Sequence, residues 1–135
     1  MANEQLSFII ADLTRFTAKE TLALALDIQA NLQEDTPRDT GWARANWVMS
    51  TGAPAEDLGV SRTTSPTTSQ VVQAASRQAA SIDGVLGYDL GKGAIFTTNN
   101  VPYIGRLNEG YSKQAGSAFI QRSVGRALAD REVGR

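Results

Sequence analysis

From Asn3 to Gln33 the chain holds neither proline nor glycine, and its apolar residues recur on a helical period. Leu6, Ile9, Ile10, Leu13, Phe16, Thr17, Glu20, Leu24, Asp27, Ile28 and Asn31 fall within one stripe of a 3.6-residue repeat. So long a run with that spacing has one inexpensive solution, an amphipathic helix that spans about a quarter of the protein. Leu22 and Leu26 add apolar surface on a shifted face, so the second half should be covered on more than one side. Pro37 ends the run, because its ring disfavours a helical residue before it.

The rest of the chain mixes periods. In residues 42–51, WARANWVMST, Ala43, Ala45, Trp47 and Met49 alternate with Arg44, Asn46, Val48 and Ser50, the pattern of a strand. Residues 52–65 read as a loop with room for one short strand. Ser65 and Pro66 suit the cap and first position of a helix running to about Ile82, with Val71, Val72, Ala75, Ala79 and Ile82 inward. Residues 83–100 read as two short strands about a glycine-rich turn, with Ala94, Phe96 and Thr98 on one side and Ile95 and Thr97 on the other. A short helix ended by Gly110 follows, then a closing helix with Phe119, Ile120, Val124 and Leu128 inward. The expected class is α+β: long N-terminal and C-terminal helices on a small antiparallel sheet, with a further helix in the middle. One domain over 1–135 is expected, divided into the long helix (1–34), a turn, strands and middle helix (35–100), and the short and closing helices (101–135).

Composition restricts the chemistry. A chain of 135 residues with 41% hydrophobic content can bury a core without staples. With no cysteine and no histidine, thiol nucleophiles, imidazole bases and the commonest zinc ligands are excluded. No cofactor is expected. No apolar run approaches the roughly 18 residues that span a bilayer, and the start lacks a basic signal region, so a soluble protein made in a cytosol is expected.

Net charge is −1, but it is unevenly spread. Residues 1–35 carry six acids against Arg15 and Lys19, a balance of −4, while residues 101–135 carry six bases against three acids, a balance of +3. Solvated helix faces explain this, as does a subunit whose ends meet oppositely charged neighbours, with Arg122 and Arg126 as the candidate interface. Arg122, Arg126 and Arg131 also raise a nucleic-acid module, although Gly125 interrupts their helix and few aromatics accompany them.

Two short motifs point to enzymes. Asp39-Thr40-Gly41 is the triplet of aspartic proteases, and Tyr103 to Arg106, YIGR, resembles the element that braces the retroviral active-site loop. Two such carboxylates on a dimer axis share a proton and activate water. That triplet normally leaves a buried apolar strand, whereas here it follows Glu34-Asp35-Thr36-Pro37-Arg38, and three helices leave no room for a nearly all-β fold. Asp and Thr before a Gly also form a turn unaided. Gly91-Lys92-Gly93 is not a phosphate loop, since Leu86 stands where its first glycine belongs and Gly93 where Ser or Thr belongs.

The two stretches together, TPRDTGWARANW and TNNVPYIGRLNEGYSKQAGSAFIQRSV, resemble the tail-completion or head-tail joining (neck) proteins of tailed bacteriophages. The matching positions are Pro37, Asp39, Thr40, Gly41, Arg44, Trp47, Asn99, Asn100, Pro102, Tyr103, Leu107, Glu109, Gly110, Ser112, Gln114 and Ala115. Ile104 stands where a small residue is common, and Gly116 replaces the usual proline. The resemblance implies a structural role in the virion: a ring, often of six subunits, where the filled capsid meets the tail, assembled in the host cytoplasm. Implied neighbours are a connector or stopper, a tail terminator and the tail tube, with DNA passing through the channel and no membrane. Trp47 and Tyr103 should be packing anchors, with Gly41 and Gly110 serving backbone geometry.

Overall fold

The computed structural model of the chain describes residues 2–38, 41–57, 63, 65–110 and 117–133. Helix α1 spans Ala2–Asp35, as the uninterrupted run predicts. A short helix α2 (Trp42–Ala45) leads into strand β1 (Trp47–Thr51), and helix α3 covers Thr68–Val85. A tight helical turn at Leu90–Lys92 precedes strand β2 (Ile95–Asn99), followed by helices α4 (Ile104–Asn108) and α5 (Phe119–Val133). The class is α+β, with α1 and α3 against a two-stranded antiparallel sheet in which Trp47 pairs with Asn99 and Thr51 with Ile95, and α5 chiefly against α1.

The second half of α1 is covered on two sides. Ala18, Gln29, Leu32 and Thr36 are buried where α1 meets α2 and the sheet. On another side lies α5, running antiparallel to α1: Asn31 Nδ2 donates to the Ser123 carbonyl (3.1 Å), and Arg131 reaches Glu20 (2.8 Å) and Asp27 (3.3 Å). Among the described residues none covers the first half of α1 in this way, and Leu6, Ile9, Ile10, Leu13 and Phe16 are all exposed.

Several local expectations are corrected. Residues 42–45 are helical rather than extended, and the strand begins only at Trp47. Gly41, at φ 75°, turns the chain so that its carbonyl accepts from Ala45 N–H (3.0 Å), and one helical turn then buries Trp42 and Ala45 together. The cap of α3 is Thr67 instead of Ser65: Thr67 Oγ1 accepts from Gln70 N–H (3.1 Å), while Gln70 Oε1 accepts from Thr67 N–H (2.8 Å). That helix runs on to Val85, and its inward face is Val71, Ala74, Gln78 and Val85, whereas Val72, Ala75 and Ala79 are exposed. A small Ala74 permits close approach, and Gln78 has a polar partner there.

Residues 83–100 give one strand, not two. The helix end and the tight turn occupy the first part, and β2 takes β1 as its partner across the sequence. No strand forms among the described residues of 52–65; residues 58–62 and 64 lie outside them. In α5, Leu128 is exposed, and the side chains turned inward are Phe119, Ser123 and Ala127, with Ile120 and Val124 half-buried. Small residues at 123 and 127 let α5 lie close against α1, and Ser123 Oγ donates to Asp35 Oδ2 (2.6 Å).

Candidate functional site

Arg44 and Trp47 of the first resemblance-bearing stretch meet the chain where α1 ends, and Asn99 of the second is tied to them through α2. Helix α1 leaves its last carbonyls without intrahelical donors, as every helix must. Arg44 supplies them from α2: its Nη2 donates to Glu34 O (2.7 Å) and Thr36 O (2.9 Å), and its Nε to Thr36 O (3.2 Å). Burial, and then the neighbouring Arg38, lower the pKa of this guanidinium from the usual arginine value, while Glu34 and Asp35 act in the opposite sense. Thr36, fully buried, donates its hydroxyl to Leu32 O and accepts from Trp47 Nε1 (2.8 Å). Pro37 is buried beside it.

The second stretch closes on the first through Asn99. Its Nδ2 donates to Ala43 O (2.8 Å) and its Oδ1 accepts from Val101 N–H (3.0 Å), tying the end of β2 to α2. Asn100 Nδ2 reaches Ala55 O (3.3 Å) in the loop after β1. Pro102 is exposed in the turn before α4, and Tyr103, half-buried, packs on a core of Trp42, Ala43, Ala45, Ala74 and Val101. A second core holds Leu32, Trp47 and Phe119. Ile104 and Leu107 touch both cores, so α4 is the wedge between them. Gly110, at φ 96°, passes so close to Ser117 that a Cβ would meet it at 3.3 Å. Glu109 is exposed. Asp39, Thr40, Ser112, Gln114, Ala115 and Gly116 lie outside the described residues.

Polar side chains that no apolar period marks do much of the joining. Gln29, buried in α1, donates to Trp47 O (2.9 Å) and accepts from Thr97 Oγ1, so it links α1 to both strands. Gln78 Nε2 donates to Arg44 O (2.9 Å), and Ser81 Oγ accepts from Met49 N–H (3.0 Å), which fastens α3 to α2 and β1. Asn108 Oδ1 accepts from Ile120 N–H (2.9 Å) and so caps the start of α5 from α4. Among the described residues every buried side-chain nitrogen and oxygen has a hydrogen-bond partner. These groups hold backbone in place, and what the arrangement does chemically is fasten α1 to the sheet, α3 to α2 and β1, and α4 to α5.

The carboxylate triplet follows a helix end instead of a strand, and Tyr103 to Arg106 form the cap and first turn of α4. The basic segment is also engaged. Arg126 pairs with Asp35 (3.3 Å) and Glu34 (3.6 Å) of its own chain, and Arg131 with Glu20 and Asp27. The hydrogen bond to Glu20 is the main cause that raises the pKa of Arg131 above the usual arginine value. Arg122 is exposed and donates to Ser117 O. The complementary charges of the two ends thus meet within one chain, along the α1·α5 seam.

Arg44→Ala should cost about 1.5 to 3 kcal/mol, because the partly buried Thr36 carbonyl and the exposed Glu34 carbonyl lose a charged donor. Lysine should restore only part of it, being a point charge without the guanidinium fork. Urea denaturation checks this, and an alanine variant as stable as the wild type would remove Arg44 as the brace.

No family model matches the chain, and no curated protein or solved structure matches it either.

Proposed function

We propose that the chain is a virion structural protein of a tailed bacteriophage, a subunit of a ring, of six copies, at the head-tail junction that joins the DNA-filled capsid to the tail. One observation carries the reading. The two stretches that resemble neck proteins, more than fifty residues apart in sequence, meet around the end of α1, and Arg44, Trp47, Asn99, Tyr103 and Leu107 each hold one element to another there. Motif residues spent on a rigid joint suit a ring subunit, which needs a stiff body and leaves contact with connector, stopper, terminator or tail tube to its exposed surfaces. In that setting the protein acts in the virion after assembly in the bacterial cytoplasm.

The nucleic-acid reading draws less support, because Arg126 and Arg131 face carboxylates of their own chain. Any DNA contact would then be the non-specific proximity of a channel lining. The protease reading lacks the strand that would fix and desolvate the carboxylate. Among the described residues no helix is long and apolar enough to cross a membrane.

Deletion of the gene from a phage that carries it should leave DNA-filled heads and finished tails that fail to join, with infectivity restored by expression in trans. Normal infectious particles from the deletion would remove the head-tail role.

A further inference from the structure

The first half of α1 is exposed along nearly its whole length. Among the described residues the first buried side chain on this helix is Ala18, and residues 3–17, of which Ala11 alone is half-buried, extend over roughly 22 Å at about 1.5 Å per residue. Leu6, Ile9, Leu13 and Phe16 stand three and four residues apart along one side of this arm, 55%, 56%, 59% and 59% exposed, with Ile10 beside them. The same side carries Glu20, Asp27 and Asn31, where α5 lies. Among the described residues helix α5, Phe119–Val133, lies on the stripe from residue 20 onward, and the stripe continues to Leu6.

We propose that a second copy of the chain covers this open stripe, α1 against α1 in the antiparallel sense, with Leu6 of one copy on Phe16 of the other and Ile9 on Leu13. The apolar surface involved, with Ile10, is on the order of 500 Å² per copy, so the pair would bury about 1,000 Å² in all, the size at which a specific interface begins. Alternating spacings of three and four suit a helix as the occupant, because such side chains form the knobs and holes of a two-helix seam. The α5 seam sets the direction. A parallel partner would drive the later half of its α1 into the space α5 occupies. An antiparallel partner brings its Asn3 opposite Lys19, just short of where Arg131 meets Glu20. A lipid surface is the poorer occupant, since Glu4 and Asp12 balance Arg15 and Lys19 and the arm has no basic excess. This pairing does not rest on the head-tail proposal; it concerns the free protein, whichever neighbours its arm meets later.

The chain has no cysteine, so introduced thiols are the only ones present. Leu6→Cys and Phe16→Cys variants of the full chain, mixed and oxidised, should form the mixed disulfide dimer. Each alone should cross-link poorly, because like positions would sit about 15 Å apart along the helix axis. In sedimentation equilibrium at micromolar concentration the wild type should show an even multiple of 14.4 kDa. The double variant Leu13→Glu/Phe16→Glu should keep its circular dichroism and raise the dissociation constant by about 100-fold or more. Three results would overturn the pairing: a monomeric wild type, self-cross-linking of either single variant as readily as the mixture, or association unchanged in the glutamate variant. Binding of a monomeric wild type to zwitterionic lipid vesicles would overturn it in favour of a membrane surface.

Discussion

Trp47→Ala should destabilise the protein by about 3 to 5 kcal/mol, the range for removing a large buried aromatic. Trp47 is 5% exposed, packs with Leu32 and Phe119, and donates from Nε1 to Thr36 Oγ1 (2.8 Å). Its loss opens a cavity where α1, α5 and β1 meet and frees the hydroxyl that marks the end of α1. Against a total stability of about 5 to 15 kcal/mol, much of the population would unfold at modest urea. Trp47→Phe separates the two parts, since it keeps most of the ring and removes the donor; it should cost about 1 to 2 kcal/mol. Equal stabilities for the alanine variant and the wild type would show that this core does not hold α5 to the sheet.

Trp42→Ala should have an effect of the same size, about 3 to 5 kcal/mol, in the other core. Trp42 is 1% exposed and is the largest fully buried side chain, enclosed by Ala43, Ala45, Ala74 and Val101. Those small neighbours cannot extend to fill the space it would leave. The cores share Ile104 and Leu107, so the two tryptophans should not act independently. Milder Trp42→Phe and Trp47→Phe changes, combined, should depart from additivity by about 0.5 kcal/mol or more, as residues linked through a common wedge do. Strict additivity in urea titrations would mean that α4 transmits nothing between the cores.

How far the sequence was legible depended on whether a local signal competed with a distant partner. The Pro- and Gly-free run gave α1 to within two residues, because nothing in it resists a helix. Gly110 at the end of the short helix was likewise readable, since its positive φ is a local requirement. At Trp42–Ala45 the alternation over four residues fits a strand as well as one helical turn, and the deciding cluster, Trp42 with Ala74 and Val101, comes from residues far along the chain. The inward face of α3 was rotated because counting only apolar residues passes over Gln78, whose burial depends on the Arg44 carbonyl. For the same reason Gln29, Thr36 and Asn108 were not seen as joints. Leu128 was expected inward, but the small Ser123 and Ala127 decide how α5 lies on α1. The open stripe on the arm was visible as a pattern, while its lack of cover became visible only with the end of α5 in place.

The charge asymmetry teaches a related lesson. An acidic first helix and a basic last one invite an intermolecular reading, yet Arg126 and Arg131 find Glu34, Asp35, Glu20 and Asp27 within the same chain. Net charge by segment does not distinguish attraction within a subunit from attraction between subunits. These pairs lie at the surface, so their chief effect is on the direction in which α5 lies.

The head-tail role is tested most directly by electron cryomicroscopy of the virion of a phage that carries this gene, with the protein tagged at its C-terminus. A closed ring of tagged subunits between the portal end of the capsid and the first tail ring, its density fitted by α1, α3 and α5 around the sheet, is the expected result. Tag density confined to the capsid shell or the tail tip, or particles that lack the protein altogether, would contradict it.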